Sequence, residues 1–91
     1  MVSVRRVPLD ERIENAIFEH LEYDDEGPIF PRGPIRFAGT CTAEEVADVW
    51  KRQERTLQDG MHELQYVLTV ASCSLQQDGQ YRFNVLIEEG P

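Results

Sequence analysis

The sequence has 91 residues, of which 41% are apolar and 29% charged, and its formal net charge at pH 7 is −8. A chain of this length has room for one domain with one modest core, but little room for an enclosed substrate cavity as well. No apolar run approaches the roughly 18 residues of a membrane span, and the N-terminus lacks the apolar region of a signal peptide. Residues 1–91 are therefore predicted to form a single globular domain in the cytoplasm.

Most of the net negative charge, −7 of −8, lies between Asp10 and Glu26. This segment holds eight acids and one base, which leaves nine acids against eight bases in the rest of the chain. A concentrated acidic surface repels nucleic acid and anionic membranes, and it attracts basic surfaces. We therefore expect no direct binding to nucleic acid or to a membrane. The expected partner is a protein with a basic surface, for example a nucleic-acid-binding protein or complex.

The N-terminal third predicts a short strand followed by a helix. Residues 2–5 alternate between valine and polar side chains, which is typical of a strand. The helix is expected from Pro8 to Glu22, because proline suits the first helical position and early acids suit the helix dipole. One face of this helix is predicted to lie against the core, with His20 buried on it. The residues of that face are Leu9, Ile13, Ala16, Ile17, His20 and Leu21.

The opposite face of the first helix is acidic and carries one aromatic residue. Phe18 has Glu14 one turn before it and Glu22 one turn after it. Two interpretations remain open: another element covers the ring, or the ring is an exposed anchor for a basic partner. Acids at the C-terminal end of a helix oppose its dipole, so stability does not explain them. The candidate partner-binding residues are Glu11, Glu14, Phe18, Glu22, Asp24, Asp25 and Glu26.

Residues 27–39 form a connector with three prolines and three glycines. The prolines exclude a helix and favour extended backbone. Alternation over residues 35–38 predicts a short strand at a sheet edge. We expect the apolar side chains of the connector to order it. These are Ile29, Phe30, Ile35 and Phe37.

A second helix is predicted to begin at Thr42. Thr42 and Glu45 have the spacing of a capping box, in which each side chain accepts a hydrogen bond from the backbone of the other. Acids precede bases along this segment, as the helix dipole favours. The helix is expected to end at Gly60, with Lys51, Arg52 and Arg55 on a solvated face. Its apolar stripe is Ala43, Val46, Ala47, Val49, Trp50 and Leu57.

The last third of the chain predicts a β-hairpin, because two runs alternate in hydrophobicity on either side of residues 78–79. The Asp-Gly pair there suits a two-residue type I′ turn, which would pair Val70 with Ile87. Both apolar rows then lie on the same face. The predicted fold is α+β, with two helices packed on one face of a small, mainly antiparallel sheet in the order β-α-β-α-β-β.

The sequence contains little that indicates chemistry. It has no phosphate-binding glycine loop, nucleophile elbow or metalloprotease motif, and its cysteines and histidines lack zinc-site spacing. We therefore expect no catalytic site, metal or cofactor. Cys41 is the most plausible reactive group, because it precedes a helix N-terminus whose dipole favours a thiolate. The more ordinary interpretation is that Cys41 is a small buried side chain.

Three functions fit these patterns, in decreasing order of preference. The first is a small acidic binding protein that occupies a basic site on a partner. An inhibitor or nucleic-acid mimic belongs to this class, of the anti-defence kind that phages often encode against host complexes. The second is a structural or assembly subunit of a homo-oligomer or larger complex. The third is a thiol-dependent redox or enzymatic role at Cys41.

Overall fold

The computed structural model describes residues 7–91, so the strand predicted at residues 2–5 lies outside the described residues. The α+β class is confirmed, with a C-terminal hairpin as expected. Two short strands after the first helix and one strand after the second are additional to the predicted order. The elements are α1 (Leu9–His20), β1 (Glu22–Asp24), β2 (Gly27–Ile29), β3 (Ile35–Cys41), α2 (Ala43–Lys51), β4 (Glu54–Asp59), β5 (His62–Leu75) and β6 (Tyr81–Glu89).

The main sheet has four antiparallel strands in the order β3-β6-β5-β4, and β1 pairs with β2 in a separate hairpin. Successive side chains of a strand point to opposite faces of the sheet. Both helices pack on the face that carries Leu68, Val85 and Ile87, and they bury it in one core. From α1 this core receives Ile13 and Ile17, which are fully buried. The prediction that two helices cover one face is confirmed.

Helix α1 ends at His20, so the prediction that it continues to Glu22 is wrong. Leu21 is extended, with φ −65° and ψ 140°, and its N–H donates to the Ile17 carbonyl at 3.0 Å. His20 is exposed rather than part of the core. Because the chain leaves the helix at Leu21, the argument from the helix dipole does not apply to Asp24, Asp25 and Glu26, which lie in the hairpin that follows. Only Glu22, directly after the C-cap Leu21, remains beside the end of α1.

Helix α2 begins as predicted, and the capping box is confirmed. The N–H of Glu45 donates to the Thr42 hydroxyl at 3.2 Å, and the N–H of Thr42 donates to Glu45 Oε1 at 2.9 Å. Val46 and Val49 face the core from this helix. The start of the predicted helix is therefore correct, but its apolar stripe is buried only at Val46 and Val49, because Ala43 and Ala47 are exposed.

The C-terminal half of the predicted second helix is wrong, because residues 54–59 form β4. Leu57 is 2% exposed while both its neighbours are exposed, which is the period of a strand. The helix ends at Lys51, and Trp50 on the predicted apolar stripe is 56% exposed. Gly60 does not end a helix. It begins the two-residue turn from β4 to β5 with a left-handed φ of 61°.

The connector is ordered as predicted around two of its apolar residues. Phe30 and Ile35 are buried, and β3 is an edge strand of the main sheet. Phe37 is partly buried against the core. Ile29 differs from the prediction, because it is 42% exposed at the end of β2.

The register of the C-terminal hairpin differs from the prediction, since Val70 pairs with Val85 and not with Ile87. Part of the difference comes from the loop. The N–H of Gln76 donates to the Gln80 carbonyl at 2.8 Å, which leaves three loop residues where the prediction has two. The last loop residue is glycine in a left-handed conformation, as in a type I turn with a G1 bulge.

The rest of the register difference comes from a β-bulge between Val70 and Ser72. A bulge adds one unpaired residue to one strand of a pair. The longer loop and the bulge each shift the pairing by one residue, and the two shifts act in the same direction. The register therefore differs from the prediction by two residues. Because side chains alternate between the faces of a strand, a shift of two leaves each side chain on its predicted face, and Leu68 and Val70 still lie beside Ile87 and Val85.

Candidate functional site

Residues 22–29 form a small hairpin from β1 and β2, which we call the acidic hairpin. Glu22 pairs with Ile29, and residues 25–26 make the turn. The N–H of Glu26 donates to Asp24 Oδ1 at 2.7 Å, an arrangement that stabilises tight turns. Four of the predicted partner-binding residues are brought together here, all of them exposed. They are Glu22, Asp24, Asp25 and Glu26.

The acidic hairpin is held against the turn between β4 and β5. The Tyr23 hydroxyl donates to Asp59 Oδ2 at 2.9 Å, and this hydrogen bond raises the pKa of Tyr23. Gly27 has a φ of 121°, and a Cβ at this position would lie 2.8 Å from Nε2 of His62. The left-handed backbone conformation therefore favours glycine, and the absence of a Cβ lets the His62 ring lie close to the hairpin. These two contacts fix the orientation of the hairpin relative to the main sheet.

Large apolar side chains are also exposed on the acidic hairpin and on the adjacent turn, with Tyr23 and Ile29 on opposite faces of the hairpin. Met61, in the turn from β4 to β5, is 97% exposed, Tyr23 is 61% exposed and Ile29 is 42% exposed. Exposed apolar side chains that are grouped and surrounded by polar residues mark interaction sites. We call the acidic hairpin and residues 59–62 together the acidic end. This end of the molecule combines exposed apolar side chains with exposed carboxylates.

The other predicted partner-binding residues lie on α1, and the structure does not bring them all to the acidic end. Phe18 is 39% exposed, so its ring is only partly covered. Glu11 is exposed in the first turn of α1, about 14 Å of helix axis from His20. Glu14 is half-buried and lines a cavity together with Arg55, so it belongs to a different cluster.

That cluster is an ion-pair network that joins α1, α2 and β4. The side chain of Arg55 is 6% exposed, and it binds Asp10 of α1 and Asp48 of α2, the latter at 3.2 Å. Its Nε also donates to the Arg52 carbonyl at 2.9 Å. The prediction that Arg55 lies on a solvated face is therefore wrong. Because two arginines face two aspartates, the network balances its own charge and acts as a structural contact between the three elements.

The network also explains the protonation state of its more exposed members. Arg52 donates to both Asp48 oxygens, at 3.1 and 2.8 Å. This hydrogen bonding lowers the pKa of the Asp48 carboxyl, although its partial burial acts in the opposite direction. Desolvation raises the pKa of Tyr66, which also lines the cavity beside Glu14. These two shifts keep the Asp48 carboxyl ionised and the Tyr66 hydroxyl neutral at neutral pH.

Cys41, at the end of β3, is a small buried side chain, which is the more ordinary of its two predicted interpretations. Cys41 is fully buried, and Cys73 is the exposed cysteine. A reagent or substrate has no open route to a sulfur atom at that depth, so a reactive role for Cys41 has no support. Over residues 7–91, no helix is long and apolar enough to cross a membrane. Nor do three or more histidine, cysteine or acidic side chains in this range group as metal ligands.

Sequence reasoning does not identify Tyr23, Ile29 and Met61 as part of the site. The signal for the acidic hairpin is present, because Asp-Asp-Glu-Gly lies between two short segments suited to extended backbone. This signal is easily missed, because the helical pattern of the first helix extends in the sequence to Glu22, the first residue of the hairpin. Met61 is obscured by the interpretation of Gly60 as a helix stop. In comparisons with known proteins, no family model, curated protein or solved structure matches this chain.

Proposed function

We propose that this protein is an acidic binding protein whose acidic end occupies a basic site on a partner protein. The observation that carries the proposal is the grouping of exposed carboxylates with exposed apolar side chains on one docked hairpin and the adjacent turn. Apolar groups supply contact energy, and the carboxylates select a basic partner and exclude acidic ones. Neither the exposed carboxylates nor the exposed apolar side chains belong to the buried core.

The rigidity of the acidic end supports this proposal. Tyr23 and Gly27 hold the hairpin at two points, through Asp59 and His62 respectively. A surface that is already ordered loses less conformational entropy when it binds. The concentrated negative charge also accelerates encounter with a basic surface, and salt weakens this effect.

The specific form of the function that we favour is an inhibitor that acts as a nucleic-acid mimic. A basic site that normally contacts phosphates would accept the carboxylates of the acidic hairpin in their place. Inhibitors of the anti-defence kind, directed at nucleic-acid-binding complexes, work by such competition. A partner of this kind implies a cytoplasmic location for the protein. Nucleic acid should then compete with this protein for the partner.

A pull-down with matched variants tests the proposal. The test variant combines Glu22→Gln, Asp24→Asn, Asp25→Asn and Glu26→Gln, and asparagine preserves the side-chain acceptor of the turn. The control variant removes the same charge elsewhere. It combines Glu44→Gln, Glu54→Gln, Asp78→Asn and Glu89→Gln.

We expect the wild-type and control proteins to retain a basic partner at low salt and to release it at moderate salt. The test variant should retain much less of it, and added nucleic acid should displace it from the wild type. Equal recovery of the same partners by all three proteins would contradict a role for the acidic hairpin. If added nucleic acid did not displace the partner from the wild type, the nucleic-acid mimic would be contradicted. The broader proposal of an acidic binding protein would still stand.

A further inference from the structure

One edge of the main sheet is open along part of its length. β4 pairs with β5 from His62 to Val67, and the N–H of Leu68 then donates to the Gln53 carbonyl at 2.8 Å. Beyond this contact, residues 69–75 of β5 pair with β6 on one side and, among the described residues, with no strand on the other. We call this stretch, about 20 Å long, the open edge.

The open edge presents unpaired backbone groups. The N–H of Gln76 faces the β6 side of the hairpin, where it donates to a carbonyl. Backbone groups alternate in direction along a strand, so those of Cys73 and Leu75 point away from β6. Those of Val70 point the same way, because the N–H of Leu68, two residues earlier, faces β4. Another extended segment has the donors and acceptors that pair with such a row.

The open edge also lacks the charges that protect sheet edges. Residues 64–77 are the longest uncharged run of the chain, and residues 71–77 within it are all exposed. Sheet edges that face water are commonly protected by charged side chains or proline, which oppose pairing with another chain. β4, the neighbouring strand, follows this rule with Glu54, Arg55 and Asp59. An exposed edge with neither charge nor proline is therefore suited to pairing.

Apolar side chains flank the open edge on the helix side of the sheet. Cys73 lies on this side because it pairs with the buried Phe83, and Leu75, two residues further on, is 63% exposed. At the other end of the edge, Trp50 in the last turn of α2 is 56% exposed. It lines a shallow depression of about 460 Å³ together with Gln53. Exposed aromatic side chains are common contact residues in interfaces.

We infer that the open edge binds an extended segment of a partner protein, which adds to the sheet as a further strand. Main-chain hydrogen bonds to Val70, Cys73 and Leu75 hold the segment in register. Its side chains at alternate positions contact Leu75 at one end and Trp50 at the other, so we expect apolar residues there. Between these points the segment is uncharged, because a charge beside apolar side chains loses hydration without gaining a partner.

A second copy of this chain fits the open edge less well. In an antiparallel pairing centred on Ser74, the backbone groups of Cys73 in one copy meet those of Leu75 in the other. The bulge on one side and the hairpin turn on the other interrupt this match. Such a pairing ends before it reaches Trp50, and each copy carries a net charge of −8. A separate segment is free to follow the whole edge.

The open edge is separate from the acidic end, which lies at the opposite end of β5. Leu75 is about 40 Å of extended strand from His62, which lies beside Gly27 of the acidic hairpin. The two surfaces therefore bind different segments, one uncharged and one basic. Changes at the open edge should leave binding at the acidic end unchanged.

Selection from a library of random peptides displayed on phage tests the inference. The full chain is immobilised, and the enriched peptides are synthesised and measured by fluorescence anisotropy. We expect one enriched group of uncharged peptides with apolar residues at alternate positions. Leu75→Lys and Cys73→Pro should each weaken binding of this group about tenfold or more. The proline removes an N–H that points away from β6, a position at which edge strands accept proline.

Thr56→Lys is the matched control, because it adds the same charge to β4, where the edge is already charged. It should leave the affinity for the uncharged peptides unchanged, and circular dichroism should show each variant folded. If Cys73→Pro does not fold, Leu75→Lys decides the test. Basic peptides selected by the acidic end should bind Leu75→Lys as tightly as wild type, so failure of one surface is distinguishable from failure of the other.

Three results would overturn the inference. The first is the absence of an uncharged alternating group among the enriched peptides. The second is such a group whose affinity for Leu75→Lys equals that for wild type. The third is a wild-type dimer in sedimentation equilibrium that Leu75→Lys converts to a monomer, which would assign the open edge to a second copy of this chain.

Discussion

The carboxylate of Glu45 accepts hydrogen bonds from the first turns of both helices. Oε1 accepts from the N–H of Thr42 at 2.9 Å, and Oε2 accepts from the N–H of Leu9 at 2.6 Å. The first turn of any helix leaves backbone N–H groups without intrahelical partners. Pro8 precedes α1 and has no polar side-chain atom to accept from them. The capping residue of α2 therefore also serves α1 and ties the starts of the two helices together.

This shared role predicts unequal effects of two capping substitutions. Glu45→Ala should lower the free energy of unfolding by about 2 kcal/mol, because both helices lose an acceptor. Thr42→Ala removes the acceptor of one helix only and should cost about 1 kcal/mol. Urea unfolding measures both values. Equal costs would show that the contact from Glu45 to Leu9 contributes nothing.

Stability should decrease in acid because of Glu45. Burial by itself would raise the pKa of this carboxyl, but the hydrogen bonds from Thr42 and Leu9 and the charge of Arg12 lower it below 4.5. A group whose pKa is lowered by folding stabilises the protein above its unfolded pKa, and the stabilisation is lost as pH falls through the folded pKa. We therefore expect this contribution to be constant above about pH 5.5 and to fall below about pH 4.5.

Urea titrations at several pH values test this prediction. Glu45→Gln should reduce the dependence of unfolding free energy on pH in the acidic range. Glu44→Gln is the control, because Glu44 is exposed in the same first turn of α2. An unchanged slope for the Glu45 variant would assign the acid sensitivity to other carboxylates, such as Asp48.

The buried guanidinium of Arg55 should not be replaceable by lysine. Arg55→Lys keeps the charge, but one ammonium group cannot reproduce the contacts to Asp10, Asp48 and the Arg52 carbonyl together. We expect a loss of about 2 kcal/mol, which corresponds to a decrease in Tm of about 10 °C for a domain of this size. Arg32→Lys, at an exposed loop position, should leave Tm nearly unchanged. A similar Tm for both variants would contradict the structural role of the network.

The position of the acidic hairpin should depend on Gly27. Gly27→Ala would force the exposed His62 ring to turn away and would strain the left-handed backbone, so we expect the hairpin to shift. We expect a loss of about 1–2 kcal/mol in stability and weaker partner binding, although no carboxylate is removed. Gly33→Ala is the control, because its Cβ would meet nothing within 4 Å. Full partner binding by the Gly27 variant would show that the docked geometry is unimportant.

Met61 should contribute to binding and not to folding. Its side chain is 97% exposed, so Met61→Ser should change the free energy of unfolding by less than about 0.5 kcal/mol. The same substitution should weaken partner binding about tenfold, which is the loss expected for an apolar contact residue. Leu75→Ser is the control, since Leu75 is 63% exposed but lies at the end of β5 away from the acidic end. Equal affinities of the two variants would remove Met61 from the proposed surface.

Local interactions determined the features of the fold that the sequence predicts correctly. The capping box needs only Thr42 and Glu45, which are one helical turn apart. The buried face of α1 follows from the spacing of its apolar residues, and the C-terminal hairpin follows from alternation on either side of a turn. In each case the groups that interact are close in sequence, so the pattern is visible without knowledge of distant partners.

The correct α+β class follows from the same local patterns, since amphipathic helices and half-buried strands must cover each other's apolar faces. The concentration of acids before Gly27 is likewise a property of the sequence alone. Four of those acids do lie together on an exposed hairpin. Their grouping required no long-range contact, because a turn of two residues brings its flanking strands together.

Only the tertiary structure decided the remaining features. Leu57 fits a helical stripe and a strand equally well, and pairing of residues 54–59 with β5 selects the strand. The register of β5 and β6 depends on a loop and a bulge whose effects combine. Met61 becomes part of the acidic end because Tyr23 reaches Asp59 across 36 positions of sequence. Sequence patterns record interactions between near neighbours, whereas these outcomes depend on which distant segments pack together.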